Sequence, residues 1–273
     1  MIVDWDDAYA NAPHIPDGDA YPPRWAAEAA TFRAAMGERL REGIAYGAHP
    51  RQRFDLFLPE DTPSGLVVYV HGGYWRAFDR DSWSHFAAGP LQRGWAVAIP
   101  GYVLAPEARI GEITAMIADA IVTAADAVPG PIRLIGHSAG GHLVARQVCA
   151  DSRLPEPVAA RIDRVVPISG LADLRPLLQL QLNEVLRLDP DEAVAESPAL
   201  GTPRPGLQVH AWVGDGERPE FVRQTTLLAN IWTGLGADMA QTIEPRRHHF
   251  NVIDGLLHPG SGLVDALVGE HRP

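Results

Sequence analysis

From Leu66 onward the chain alternates short apolar runs with longer segments of helical periodicity. Residues 66–70, 95–99, 132–135, 162–168, 207–213 and 239–243 are runs of the kind that form strands buried on both faces. Residues 81–93, 110–128, the breaker-free segment after Ser138, and 219–235 read as the intervening helices, with shorter helical pieces at 251–257 and 263–268. Strands alternating with helices specify an α/β fold, a mostly parallel central sheet with helices on both faces. Upstream the pattern differs. Residues 4–22 read as an irregular arm rich in Asp, Ala, Asn and Pro, anchored by Trp5, Tyr9 and Tyr21. Pro22-Pro23 then starts a helix whose apolar face is Trp25, Ala29, Phe32, Met36 and Leu40, with Gly43 as its stop. Residues 44–46 and 54–58 read as two strands, Phe54, Leu56 and Leu58 alternating against Asp55. With no helix between them, they should form an antiparallel edge. Residues 171–205 break the rhythm and read as short helices inserted over one end of the sheet, lid-like. The expected organisation is one domain over 1–273, with an arm at 1–24 and an insertion at 171–205.

Composition narrows the function classes. The 46% hydrophobic content is that of an ordinary packed globule, and the net charge of −11 argues against nucleic-acid binding. Cys149 is the only cysteine, which excludes an intrachain disulfide and a Cys-based metal site and reads as a buried small hydrophobe. The acidic N-terminus does not read as a secretory signal, and no apolar run has the length of a membrane span. The expectation is a cytoplasmic protein without nucleic-acid or membrane partners; a homodimer is a candidate assembly that the sequence does not decide.

Candidate chemistry lies at the ends of the strands, where open α/β sheets bind ligands. The strand at 132–135 runs into Gly136-His137-Ser138-Ala139-Gly140 and then a helix. A serine on such a sharp turn stands clear of the sheet, the flanking glycines let strand and helix approach, and the next N–H points where an oxyanion would form. After the strand at 66–70 comes His71-Gly72-Gly73-Tyr74-Trp75, where two glycines allow backbone N–H groups to turn outward. After 207–213 come three competing carboxylates, Asp215, Glu217 and Glu220, with Glu220 expected inside a helix begun at Pro219. After 239–243 come His248 and His249, either able to act as a base. No companion cluster of metal-binding spacing accompanies them, so a metal is not expected. Serine, acid, histidine is the chain order of an α/β-hydrolase.

On these residues the chain resembles the α/β-hydrolase superfamily over nearly its full length. More narrowly it is similar to the kynurenine formamidase (arylformamidase) and small carboxylesterase group. The resemblance rests on His71-Gly-Gly-Tyr-Trp75, Tyr102-Val-Leu-Ala-Pro-Glu107, Gly136-His-Ser-Ala-Gly-Gly141, Glu217-Arg-Pro-Glu-Phe-Val-Arg-Gln224 and His249-Phe-Asn-Val-Ile253. It implies Ser138 as nucleophile, selects Glu217 as the acid and His249 as the base, and puts the oxyanion hole at the N–H groups of Gly72, Gly73 and Ala139. Glu217 stands where animal formamidases carry Asp. Tyr74 and Trp75 are candidate pocket aromatics, with core packing an equal alternative for Trp75. His71, His137 and His142 read as structural. The resulting expectation is a cofactor-independent serine hydrolase acting on a small ester or aryl-formamide through an acyl-enzyme. The alternative is a non-catalytic ligand-binding protein on the same fold.

Overall fold

The computed structural model describes Ile2 and residues 4–269, so Met1, Val3 and the last four residues of the expected domain lie outside the described residues. Its centre is an eight-stranded sheet: β1 (Leu40–Ala45), β2 (Arg53–Phe57), β3 (Leu66–Val70), β4 (Ala96–Pro100), β5 (Ile132–His137), β6 (Ile162–Ile168), β7 (Gln208–Gly214) and β8 (Asp238–Glu244). The spatial order is β1-β2-β4-β3-β5-β6-β7-β8. β1 and β2 are antiparallel at one edge, as expected, and the pairs from β4 through β8 are parallel.

The apolar runs are continuous because each central strand is covered twice. In β3, Leu66, Val68 and Val70 enter one core cluster while Val67 and Tyr69 enter the other. The helices are α1 (Trp5–Tyr9), α2 (Tyr21–Met36), α3 (Ala88–Gln92), α4 (Ile110–Ala127), α5 (Ala139–Arg146), α6 (Glu156–Ala159), α7 (Asn183–Leu186), α8 (Pro190–Ala195), α9 (Pro219–Gly234) and α10 (Gly262–Val268). α4 buries Ile110, Ile113, Ile117, Ile121 and Ala124 on one side of the sheet, at the three- and four-residue spacing of a helical stripe. On the opposite side lie Trp25 and Met36 of α2 and Leu263, Val264 and Leu267 of α10.

Four expectations need correction. The arm is not irregular: it contains α1 and single 3₁₀ turns at Ala12–His14 and Gly18–Ala20. α2 stops at Gly37, whose φ of +52° no β-carbon favours, and Leu40 therefore opens β1 rather than completing a helical face. Gly43, expected as the helix stop, is instead the bulge of β1, where the register with β2 shifts between Arg41 and Ile44. The region expected as one helix over 81–93 is a 3₁₀ stretch, Arg80–Ala87, followed by α3. The insertion at 171–205 does form short helices, α7 and α8 among them, and α8 is bound to the start of α4 through Arg109 and Glu192.

Asp55 departs furthest from its pattern. Strand alternation places it opposite the core residues Phe54 and Leu56, yet it is fully buried. The face it points to is covered by α2 and the 3₁₀ stretch, and each brings a cation: Arg33 Nη1 lies 2.6 Å from Asp55 Oδ2 and Arg80 Nε 3.1 Å from Oδ1. The N–H of Gly43 donates to the same Oδ1 at 2.8 Å. The carboxylate thus joins the edge hairpin to its covering helices. Removing one partner of a buried ion pair typically costs about 3–5 kcal/mol. Asp55→Ala should lower the unfolding free energy in urea by roughly that amount, and a loss below about 1 kcal/mol would show the two arginines to be adequately solvated without it.

Candidate active site

Five strand ends converge on one spot. β5 delivers Ser138 on a turn with φ +57° and ψ −117°, followed directly by α5. This conformation is unfavourable for a residue with a β-carbon, and the neighbouring packing holds it in place. An added Cβ at Gly140 would sit 1.9 Å from the carbonyl oxygen of Val70, and one at Gly136 2.2 Å from that of Gly140. Both glycines are therefore required by backbone contact, which is the reason the motif needs them.

The loop after β3 lies against this turn. A Cβ on Gly72 would approach the Ser138 Cβ to 3.0 Å, and Gly73 has φ +119°. Among the described residues, the backbone N–H groups of Gly72, Gly73 and Ala139 donate to no protein acceptor. Tyr74 and Trp75 follow with φ +50° and +56° and diverge. Tyr74 lines the cavity in front of Ser138 and its hydroxyl donates to the Tyr9 carbonyl at 2.5 Å. Trp75 does not line it: the ring is fully buried edge-on to His142, so its place among the candidate pocket aromatics is corrected to core.

The choice among three carboxylates is decided by burial and by hydrogen-bond partners. The Glu217 side chain has no exposed surface, and its Oε2 lies 2.6 Å from His249 Nδ1. Its Oε1 accepts from the Ser169 hydroxyl at 2.5 Å and from the Gly214 N–H at 2.9 Å. Asp215 points elsewhere, accepting from the Arg246 N–H at 2.7 Å, and so ties the β7 and β8 loops together. Glu220 lies in α9, as expected, paired with Arg223 and accepting from the Tyr9 hydroxyl. Between the histidines, His248 is turned toward the Tyr21 hydroxyl, 3.1 Å from its Nε2, while His249 is buried and lines the same cavity as Ser138. A carboxylate can only accept, so His249 Nδ1 carries the proton and Nε2 keeps its lone pair. No hydrogen bond joins that nitrogen to the Ser138 hydroxyl, although both residues line the same cavity.

The remaining histidines support this frame. His137 donates from Nε2 to the His249 carbonyl at 2.8 Å, fixing the backbone of that loop. Burial holds its pKa well below the ordinary value, and the nearby His249 adds to the effect, so it stays neutral. His142 donates to the Glu196 carbonyl, and burial lowers its pKa to about 3. His71 stacks on Tyr102 at 4.4 Å, its pKa lowered to about 4 by burial.

The cavity holds about 270 Å³. Its floor is Ser138, His137 and His249, its aromatic walls include Trp25, Phe78, Trp83 and Phe250, and the arm, Tyr9 through Pro13, and the loop after β3, with Tyr74 and Arg76, supply the rest. The sequence reading expected a lid-like element at 171–205; none of those residues lines the cavity, and the arm occupies that position. The arm is pinned by Tyr9 to Glu220 and Gln224 and by Asp7 to Arg218 and His14. Ser169 is not among the candidates read from the sequence, whereas the family resemblance implies an arm before residue 25 packed beside the mouth of the site, which is where it lies. Ser169 carries the same signal as the others, a polar residue at the end of a parallel strand; the arm's place follows from the resemblance and not from local spacing, because it depends on contacts made some two hundred residues away. Because Ser169 supplies one of three donors to a buried carboxylate, Ser169→Ala should lower kcat on an ester about three- to thirtyfold with little change in KM. An unaltered kcat would make its hydrogen bond dispensable.

Comparison with known proteins agrees with this architecture. A family model of the alpha/beta hydrolase fold matches residues 67–203. A kynurenine formamidase from Danio rerio is 28% identical over 255 residues, 89% of this chain and 86% of that one. An isoprenylcysteine alpha-carbonyl methylesterase from Arabidopsis thaliana is 32% identical over 119 residues, 40% of this chain and 28% of that one. A crystal structure from Silicibacter sp., provisionally described as a thioesterase, superposes with a TM-score of 0.93 at 52% identity, covering 97% of this chain and 98% of the other. With its family motifs carried on this sheet order and these strand ends, the chain belongs to the alpha/beta-hydrolase family.

Proposed function

We propose that the protein is a serine hydrolase that cleaves a small ester or aryl-formamide through an acyl-enzyme. The observation that carries this reading is the pairing of a fully buried Glu217 carboxylate with His249 Nδ1 at 2.6 Å, with the ring and Ser138 opening onto one cavity. A binding protein on this fold would have no use for a buried carboxylate–histidine pair beside a serine that opens onto the same cavity. In the proposed reaction His249 Nε2 takes the Ser138 proton as the hydroxyl oxygen attacks the carbonyl carbon, and Glu217 stabilises the imidazolium that forms. The tetrahedral oxyanion rests on the N–H groups of Gly72, Gly73 and Ala139, which lack protein acceptors among the described residues. His249 then protonates the leaving group, and water, deprotonated by the same ring, releases the acyl group. Every group in this scheme comes from one chain and none of the steps calls for a cofactor.

The relatives name three leaving-group chemistries: a formamidase, a methylesterase and a provisional thioesterase. A triad and oxyanion hole serve all three, because each passes through the same tetrahedral centre. The discriminating measurement compares kcat/KM on an aryl-formamide such as N-formylkynurenine, on esters of graded acyl length, and on matched thioesters. Ser138→Ala should reduce kcat on a p-nitrophenyl ester by about a thousandfold or more, and Glu217→Gln by roughly a hundred- to ten-thousandfold. Substantial turnover by the Ser138 variant, or a wild-type protein that a fluorophosphonate does not label at Ser138, would defeat the proposal.

A further inference from the structure

The geometry points to Arg76 as the residue that selects substrates carrying a carboxylate, a specificity that rests on the hydrolase reading above. All 23 basic side chains of the sequence are arginines, in a chain of net charge −11. Most of those described are engaged: Arg33 and Arg80 with Asp55, Arg109 with Glu192, Arg146 with Asp151, Arg218 with Asp7. Among the described residues Arg76 has neither a carboxylate partner nor a side-chain hydrogen bond, yet it lines the cavity that contains Ser138 and His249. Its backbone is held, with the N–H donating to the Gly73 carbonyl at 3.0 Å, so the exposed side chain extends from a fixed point beside the oxyanion loop.

The rest of the cavity wall agrees with an anionic ligand. No aspartate or glutamate lines it. The nearest functional carboxylate, Glu217, is sealed behind His249 with its oxygens already accepting three hydrogen bonds. On the arm, Asn11 lines the same cavity at 7% exposure, and its buried side-chain oxygen accepts no hydrogen bond among the described residues, which leaves an acceptor for a substrate N–H rather than for the carboxylate. An unpaired guanidinium on walls otherwise rich in Trp and Phe suits a flat aromatic ester or amide with a carboxylate at its outer end. A guanidinium fork donates two parallel hydrogen bonds to a carboxylate. At the rim the contact is partly hydrated, so it selects among substrates more than it adds affinity.

The test is the ratio of kcat/KM for 3-acetoxybenzoate to that for its neutral methyl ester. The wild-type enzyme should favour the anion, and Arg76→Gln should lower the ratio about two- to fivefold. Arg76→Lys, which keeps the charge and loses the fork, should retain an intermediate ratio, and added salt should weaken the wild-type preference. A wild-type enzyme indifferent to the carboxylate, or a ratio unchanged in Arg76→Gln, overturns the assignment. Ser138→Ala, assayed on both esters, separates the two readings. If it abolishes both activities while the Arg76 variants leave the ratio alone, only the assignment of Arg76 fails. If it leaves both activities intact, the hydrolase reading fails first.

Discussion

A carboxylate withdrawn from water needs a replacement for every hydrogen bond it gives up, and Glu217 obtains its replacements from three different strand ends. Ser169 follows β6, Gly214 ends β7, and His249 follows β8. An uncompensated buried charge costs several kcal/mol, so the three loops are held together around the carboxylate that the proposed reaction uses. The loops are also locked to one another without it: the Asp215 N–H donates to the Glu244 carbonyl, the Gly216 N–H to the Arg247 carbonyl, and Asp215 accepts from Arg246. The buried Glu217 carboxylate and the fold of the sheet's upper edge thus share one set of contacts.

The second constraint is spatial. Val70, Gly136 and Gly140 pack backbone on backbone, leaving no volume for a β-carbon at either glycine. That contact brings the β3 loop, with Gly72, against the serine turn, and it holds Ser138 in a backbone conformation its side chain disfavours. The neutral His137 beneath completes the arrangement by fixing the His249 backbone. Two buried histidines with lowered pKa values, His137 and His142, act as uncharged hydrogen-bond donors to carbonyls, whereas His249 is held by Glu217 and lines the cavity with Ser138.

How much of this was legible depends on the range of the interactions. Strands such as 66–70 and 162–168 were readable to the residue because double-sided burial imposes an unbroken apolar run. The helix over 110–128 was readable because its isoleucine spacing is local. The edge was harder. Leu40 and Gly43 continue a helical pattern until the φ at Gly37 breaks it, and nothing in the apolar spacing records that. Asp55 looks like the exposed member of an alternating strand, because the two arginines that neutralise it lie on elements that the alternation does not see.

The same division holds at the site. Strand-end motifs, with serine, acid and histidine in order, determined the fold, the reaction class and a short set of candidates, since each motif encodes a backbone turn within a few residues. Sequence spacing left Glu217 level with Asp215, and His249 level with His248, until a family resemblance chose between them. Tertiary packing separates them physically: only Glu217 has a polar cradle supplied by β6 and β7, and only His249 turns into the cavity while His248 is held by Tyr21. Packing also decided that Trp75 is core, that the arm rather than the 171–205 insertion walls the pocket, and that Arg76 stands unpaired among its aromatics. Those outcomes depend on which distant surfaces meet, information that no local stretch of the chain contains.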